Sequence, residues 1–467
     1  MATTTVLQAR VRRVSRIPAW RRGPKPKRRT ELGLLIFAAV ITVALYVIAN
    51  VGAKGKVPPH IGPILAVIVG MALVAHVANR WLAPDANAVV LPLAALLNGI
   101  GYVVIVVFTP PAAKAQATWA VIGVACYVGV LFAVRHTRDM DRYRYLLLAA
   151  AIALLVSPLI PHLGKPITTT HLWVGLGPIS FQPIEFAKLL LVVFFASYFA
   201  ERKELLSIPT ARVGNRLFLD PRPLVPILLF WAFAMGVIAL EDDVGFAMLI
   251  FTMFVVLLWV TTGRWAYIVL SVALFAIGAF AADHLFHQVR TRIDLWLHAP
   301  ANTQLGYGFF DFAHGGIGGS GLGTDPIAGA AHTAFTFVHI TTDMVFAGIG
   351  DQLGFVGAAA VVIAFVLLVG SGLRIAQAAR SDFARLVAVG LTAVLGFQAF
   401  FIMAGVTRLL PFTGITLPFV AYGGSSLVAN YVLIAVLMRV SQEGSSTVSE
   451  RAMGISLPSE TEFLVAT

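Results

Sequence analysis

The sequence predicts an all-α integral membrane protein, a multi-pass helical bundle of about 12 spans with one large outer loop. Hydrophobic residues make up 58% of the 467 residues, and charged residues only 12%, about half of their usual share in soluble domains. The mean hydropathy is +0.86. The apolar runs are too long for barrel strands, and lipid offers backbone groups no partner, so every span is expected to be a helix.

Each span is predicted from an apolar run of about 20 residues. The runs lie near residues 32–51, 61–78, 88–108, 117–134, 145–161, 186–200, 224–240, 245–262, 265–282, 353–373, 383–404 and 423–440. The first run is too long for a cleaved signal peptide and lacks an A-x-A-like site, so we expect it to be retained. With the amino terminus inside, most of the 34 Lys and Arg residues fall on the inner side, as the positive-inside rule requires.

The domain organisation follows from this topology. Residues 1–30 form a basic cytoplasmic tail, 31–440 the membrane domain and 441–467 a second cytoplasmic tail, so the chain is a multi-pass protein with both termini in the cytoplasm. The first tail either contacts anionic membrane lipids or serves only as a topology signal. The net charge of +12 follows the inner loops and indicates no nucleic acid. Cys126 is the only cysteine, which excludes disulfides and cysteine metal sites.

The outer loop, residues 283–352, is too long to be a simple connection. It begins with a charged amphipathic piece, HLFHQVRTRIDLWLHAP, and continues through a glycine cluster, HGGIGGSGLG. Glycines at this density either allow backbone to approach a ligand closely or make a flexible loop without a ligand.

Charged residues at the edge of hydrocarbon mark candidate sites, because each costs several kcal/mol unless it is paired or hydrated. Glu185 and Lys188 are three residues apart on one helical face, where they form either a structural ion pair or part of a site. The acids 241–243 and Asp343 could be helix caps. Together with Arg408, these residues all fall on the outer side, which favours a joint site for an anionic head group.

The segment PFTGITLPFVAYGGSSLVAN, residues 411–430, opens the last span. Its prolines interrupt the helical pattern, and Ser425 and Ser426 follow two glycines at the start of a helix. Such a helix start favours phosphate, although Gly and Ser also serve close helix packing in membranes.

These motifs resemble the SEDS family (shape, elongation, division and sporulation proteins) of RodA/FtsW/SpoVE type. The resemblance rests on WVGLGPISFQPIEFAKLLL, EDDVGFAMLIF, GGIGGSGLG, TTDMVFAGIGDQLGFVG and the segment 411–430, in order over residues 145–440. Members typically have ten spans, so two extra amino-terminal spans are similar to those of actinobacterial relatives.

The resemblance implies a peptidoglycan glycosyltransferase of the bacterial cytoplasmic membrane. Such an enzyme polymerises lipid II, the undecaprenyl diphosphate-linked precursor, at the outer face, in elongation or division and with a class B penicillin-binding protein as partner. It also implies substrate-binding roles, with a divalent cation left open. The substrate-binding candidates are Trp173, Gln182, Glu185, Lys188, Asp243, Asp343, Arg408, Ser425 and Ser426.

The chain departs from the family in its outer loop. The family's catalytic Asp precedes the glycine cluster, but the interval 295–310 contains no acid. Asp294 and Asp311, on either side of it, are therefore the candidate catalytic bases. Asp294 could instead pair with Arg290 or Arg292, and Asp311 could be an ordinary solvated residue. A lipid II flippase, or a weakened paralogue that acts as a scaffold for a penicillin-binding protein, remains the alternative function.

Overall fold

The computed structural model consists of a helical bundle with two small antiparallel sheets. It describes residues 28–55, 61–161, 163–165, 172–176, 179–207, 211–213, 216–218, 225, 228, 232, 236, 243–285, 287–298, 300, 303–324 and 340–452. The predicted tail 1–27, most of the predicted span 224–240, and Glu241 and Asp242 lie outside these residues.

Most of the helices follow one another with short connections. In chain order they are α1 (Arg28–Lys54), α2 (Ile61–Leu82), α3 (Val90–Phe108), α4 (Pro110–Ala133), α5 (Thr137–Arg142), α6 (Arg144–Val156), α7 (Ile184–Glu201), α8 (Lys203–Ser207), α9 (Val244–Thr262), α10 (Trp265–Leu285), α11 (His287–His298), α12 (Gln304–Gly315), α13 (Val345–Gln377), α14 (Asp382–Val406) and α15 (Gly424–Ala452). The longer intervals between the described helices precede α7, α9, α13 and α15. A short 3₁₀ turn, Ser157–Leu159, extends α6.

Seven of the described helices are long and apolar enough to cross a membrane, namely α1, α3, α4, α9, α13, α14 and α15. Shorter apolar helices cover Ala66–Leu82, Arg144–Leu159 and Trp265–Phe280. With α7, eleven of the twelve predicted spans therefore correspond to described helices, and the prediction of a multi-pass helical membrane protein is confirmed.

The centre of the bundle is formed by α7, α14 and α15. α7 buries nearly every side chain from Ile184 to Phe199, and α14 and α15 are the most enclosed of the long spans. α4 packs along α15, and α13 packs along α14. The amino-terminal helices α1 and α2 lie outside this centre, where α1 packs on α3 and α2 packs on α4.

Two small sheets lie in the connections. In the first, β1 (Gly164–Lys165), β2 (Trp173–Leu176) and β3 (Ile179–Phe181) are antiparallel, with Val174 opposite Phe181. It precedes α7 and carries Trp173. The second is a hairpin of β4 (Ala211–Val213) and β5 (Arg216–Phe218).

A kink at Gly354 divides α13. Gly354 has φ +67° and ψ −167°, so residues 345–353 form a separate helical segment before the long span. This break falls next to the predicted end of the outer loop at residue 352. The last helix is longer than the predicted span 423–440, because α15 continues through Ala452 into the segment 441–467 that was predicted as a cytoplasmic tail.

Candidate active site

Glu185 and Lys188 form a buried ion pair in the first turns of α7. Pro183 caps this helix, and a carboxylate in the first turn is favoured by the helix dipole. Both side chains are fully buried, and the Lys188 ammonium donates to Glu185. It also donates to Gln398 Oε1 at 2.6 Å and lies 5.6 Å from the centre of the Phe246 ring. Hydrogen bonds and a cation–π contact therefore partner the buried ammonium.

A polar network connects this pair with the start of α15. Gln398 Nε2 donates to the Thr416 carbonyl at 2.9 Å, and the Thr416 hydroxyl lies 2.8 Å from Ser426 Oγ and 3.4 Å from Glu185 Oε1. Ser426 in turn accepts from Asn430 Nδ2 through its carbonyl at 2.8 Å. Ser426 thus belongs to this network, and the predicted phosphate-binding role of its turn stays a prediction.

Ser425 holds the entry to α7. Its hydroxyl accepts a hydrogen bond of 2.9 Å from the backbone N–H of Gln182, the second residue before the helix begins. Trp173, half-buried on β2, belongs to the sheet that leads into the same turn. Of the predicted substrate-binding residues, the structure thus brings Gln182, Ser425 and the Glu185–Lys188 pair together.

Asp243 and Asp343 carry unusual carboxyl groups near Arg292. The Asp243 carboxylate accepts from the Phe246 N–H at 3.0 Å and caps α9, as predicted for a helix cap. Burial raises the pKa of Asp243 to about 6 and that of Asp343 to about 7, while the positive charge of Arg292 holds both pKa values down. The negative charge of Glu185 adds to the rise in the pKa of Asp243, which places all of these charges in one electrostatic cluster.

Arg292 is the functional candidate that sequence reasoning missed. It lies on α11, and its guanidinium donates to the Thr413 carbonyl at 2.8 Å. From the sequence, Arg292 was a candidate only as an ion-pair partner of Asp294. The sequence feature that could have identified Arg292 is its position in an amphipathic outer piece that precedes several outer acids in the chain. We call Glu185, Lys188, Asp243, Asp343 and Arg292 the outer charge cluster.

Two buried polar atoms near this cluster have no hydrogen-bond partner among the described residues. They are the hydroxyl of Thr413 and Oδ1 of Asn430. Buried polar groups are normally paired with protein, water or ligand. The cluster therefore has hydrogen-bonding capacity to offer a bound molecule.

Arg408 is committed to the protein backbone. Its Nε donates to the Trp296 carbonyl at 2.6 Å, and a second guanidinium nitrogen donates to the Leu297 carbonyl. The Trp296 indole donates back to the Arg408 carbonyl at 3.1 Å. The structure shows Arg408 clamping α11 to the end of α14, and its binding of the diphosphate stays a prediction.

Neither of the two predicted bases forms an ion pair with the outer charge cluster among the described residues. Asp294, on α11, is exposed, and no ion pair joins its carboxylate to any side chain that the structure describes. Asp311 is buried on α12, where burial and the negative charge of Asp351 raise its pKa to about 7, opposed by His314. His314 Nδ1 lies 2.6 Å from Asp351 Oδ1, and Gln352 Nε2 donates to Asp351 Oδ2 at 2.8 Å.

The glycine cluster packs against α13. The N–H groups of Ser320 and Gly321 donate to the carbonyls of Asp351 and Gln352, and those of Phe355 and Val356 donate to Gly316 and Ile317. A Cβ on Gly315 or Gly319 would collide with the backbone of α13. The close approach predicted for these glycines is therefore made to another helix.

The described part of the chain contains no preformed cluster of metal ligands. No group of three or more His, Cys, Asp or Glu side chains there is arranged to hold one. The acids of the cluster are accompanied by Arg292, which already supplies positive charge. A divalent cation at the outer charge cluster therefore stays a prediction.

The chain is similar to cell cycle proteins. A family model with that description, named for FtsW, RodA and SpoVE, matches residues 99–446. The peptidoglycan glycosyltransferase RodA of Mycobacterium tuberculosis is 35% identical over 438 residues, which cover 90% of this chain and 91% of that protein. The stage V sporulation protein E of Bacillus subtilis is 31% identical over 337 residues, covering 71% and 87%.

Solved structures share the fold. A chain of a peptidoglycan synthase complex superposes with a TM-score of 0.62 at 26% identity, covering 78% of this chain and 99% of that one. RodA of Thermus thermophilus superposes with a TM-score of 0.55 at 24% identity, covering 78% and 98%.

Proposed function

Because the chain belongs to the FtsW/RodA/SpoVE family of cell cycle proteins, we propose that it is a peptidoglycan glycosyltransferase that polymerises lipid II. The M. tuberculosis relative carries the name of that activity and matches nearly the whole chain. The reaction joins sugars at the outer face of the bacterial cytoplasmic membrane, and both termini lie in the cytoplasm. A class B penicillin-binding protein is the proposed partner, consistent with the similarity to a chain of a peptidoglycan synthase complex.

The observation that carries this proposal is the outer charge cluster. Buried charges in a membrane protein are costly, and here cations and carboxylates from α7, α9 and α11 and from the turn before α13 converge. A diphosphate needs positive charge beside it, and a sugar hydroxyl needs a carboxylate that takes its proton. The cluster contains both kinds of group.

The proposed reaction uses these groups as follows. A hydroxyl of one lipid II attacks the anomeric carbon of the growing strand, and the bond between that carbon and the diphosphate oxygen breaks. The hydroxyl proton passes to a carboxylate, and undecaprenyl diphosphate leaves with the bonding electron pair. Arg292 and Lys188 would stabilise the negative charge on the leaving group, and the remaining residues of the cluster would position the sugars.

Asp343 is the carboxylate best suited to take the proton. It is half-buried beside Arg292, and its pKa of about 7 matches the working pH of a general base. Asp294 and Asp311 remain the candidates from the family pattern. Asp311 lies near Asp351 and His314, and no ion pair joins it to the outer charge cluster among the described residues.

The test is polymerisation of purified lipid II by the purified protein, alone and with its class B partner. Moenomycin is added to silence contaminating classical glycosyltransferases. Asp343→Asn should abolish glycan strands while the protein remains folded and bound to its partner. Asp382→Asn, which removes a partly exposed acid from the start of α14, is the matched control.

The outcomes separate the candidates. Loss of strands only in Asp294→Asn or Asp311→Asn would assign the base to that residue and refute Asp343. A correctly folded wild-type protein that binds its partner but makes no strands would refute the enzyme. The scaffold hypothesis would then explain why residues 295–310 contain no acid, and lipid II transport between vesicle leaflets would indicate a flippase.

A further inference from the structure

A cavity of about 350 Å³ lies between the amino-terminal helices and the rest of the bundle. It is bounded by α1, α2, α3 and α4, and Tyr431 of α15 closes one side. This volume is within the range of small-molecule sites. The outer charge cluster is built from other helices, so the cavity is a separate site.

The wall of the cavity is mostly apolar, with a polar flank. Leu35, Met71 and Leu91 are among its apolar residues, and the polar groups are Thr42, Asn98, Tyr102, Lys114 and Tyr431. Lys114 follows the start of α4 by four residues, whereas Asn98 precedes the end of α3 by ten. At 1.5 Å per residue the polar flank therefore extends over about 9 Å of depth.

Asn98 has a free hydrogen-bonding end inside the cavity. Its side chain is 7% exposed, and one end of the carboxamide is 3.1 Å from the Tyr431 hydroxyl. The other end has no partner among the described residues. The amide can be turned by 180° without loss of the Tyr431 contact, so this position can serve either a hydroxyl or an ester carbonyl.

Lys114 supplies a charge at the mouth of the cavity. Its side chain is exposed, and no described residue forms an ion pair with it. A long cation at this depth reaches the level of the lipid phosphates. A second groove, between α1 and α2, shares Leu35, Ala39 and Ala72 with the cavity and gives it a lateral route from the bilayer.

We propose that this cavity binds one acyl chain of an anionic phospholipid from the outer leaflet, with the phosphate at Lys114 and the glycerol esters beside Asn98 and Tyr102. The apolar part of the wall takes the chain, and the free end of Asn98 takes an ester carbonyl. Because the walls include α1 and α2, the site depends on the amino-terminal helices that precede the family match at residue 99. The proposal is independent of the glycosyltransferase assignment.

The test is native mass spectrometry of the whole protein from nanodiscs that contain phosphatidylcholine and phosphatidylglycerol. The wild type should retain one phosphatidylglycerol after a detergent wash. Ala95→Phe and Ala117→Phe fill the cavity from two different helices and should lose it. Val121→Phe enlarges an exposed side chain on α4 outside the cavity and should retain it. Lys114→Gln should keep a lipid but lose about twofold to fivefold of the preference for phosphatidylglycerol, the effect of one exposed ion pair.

Size-exclusion profiles and thermal unfolding of each variant establish that it is folded. Equal retention by the wild type and by a folded filling variant would refute the proposal, as would a wild type that retains no phospholipid. Retention of an undecaprenyl lipid in place of a phospholipid would also refute it, because the cavity would then belong to the substrate.

Discussion

The guanidinium of Arg292 donates a hydrogen bond of 2.8 Å to the carbonyl of Thr413, which fixes the outer helix α11 to the segment that precedes the last span. This contact holds a permanent positive charge near Asp243 and Asp343. Arg408 makes a second attachment of the same helix through Trp296. The position of α11 thus determines the charge balance of the candidate active site.

Replacing Arg292 with Gln should lower polymerisation by about 100-fold or more, the usual cost of removing one group that stabilises developing charge. Arg292 holds down the pKa of Asp243 and Asp343, so its loss raises both values. A base works only when ionised, and the acidic limb of the pH–rate profile should therefore move to higher pH. The measurement is strand formation against pH.

Arg290→Gln is the matched control, because Arg290 is exposed on the same helix. It should leave the limb where it is. An Arg292→Gln enzyme with reduced activity but an unshifted limb would show that Arg292 acts only by holding α11.

Removing one charge of the Glu185–Lys188 pair should destabilise the protein by about 3–5 kcal/mol, because the remaining charge stays buried without a counterion. Glu185→Gln and Lys188→Met test this singly. The double variant should recover much of the stability, since no charge is then left unpaired, but it should not recover strand formation. Reversible unfolding in mixed micelles gives the free energies.

Arg385→Gln is the comparison for a surface pair. Arg385 and Asp382 form an ion pair of 2.8 Å, and both side chains are partly exposed. Its effect should stay below about 1 kcal/mol. Single variants of the buried pair that cost no more than Arg385→Gln would mean that water reaches the pair.

The spans could be predicted from the sequence because an apolar run of fixed length has one stable arrangement in lipid. The Glu185–Lys188 pair could also be predicted, since the two residues are close neighbours on one helix. The environment of the pair could not be predicted, because Gln398 and Phe246 belong to two helices that are distant in the sequence. The lengths of the apolar runs and the positions of the charges therefore predict the helical bundle, whereas the contacts of the buried pair depend on how the helices pack.

The outer loop was harder to predict because its residues are positioned by backbone contacts. Nothing in the side chain of Arg408 indicates that it binds carbonyls, an arrangement that accompanies a positive φ of 58° at that residue. The sequence also does not indicate which of the outer acids lie close to one another. The glycine cluster docks on α13, and Asp311, on the helix before it, lies within electrostatic reach of Asp351.

Asp311 should make the stability of the protein depend on pH. Its folded pKa is about 7, above the ordinary value of 3.8, so the folded state binds more protons between these values than the unfolded state does. Stability should therefore fall as the pH rises from about 4 to about 7. Asp311→Asn should reduce this slope, as measured by thermal unfolding, and the slope that remains belongs to Asp243 and Asp343, whose pKa values are also raised.

The exposed Asp294 provides the control, and Asp294→Asn should leave the profile unchanged. Asp351→Asn should reduce the slope, because the charge of Asp351 contributes to the raised pKa of Asp311. A wild-type profile that is flat or rising over this interval would contradict the buried position of Asp311.

The kink at Gly354 should be intolerant of a side chain. Its φ of +67° disfavours any L-residue by about 1–2 kcal/mol, and a Cβ there would collide with the Gly319 N–H and the Ile317 carbonyl. Gly354→Ala should therefore cost at least about 2 kcal/mol and release the glycine cluster from α13, exposing the amides of Ser320 and Phe355 to hydrogen exchange. Gly370, on the same helix, has open space around it and provides the control. Gly370→Ala should stabilise the protein by about 0.5–1 kcal/mol. If both alanines were tolerated alike, with the amides still protected, α13 would have to be continuous at residue 354, and the loop could not dock as described.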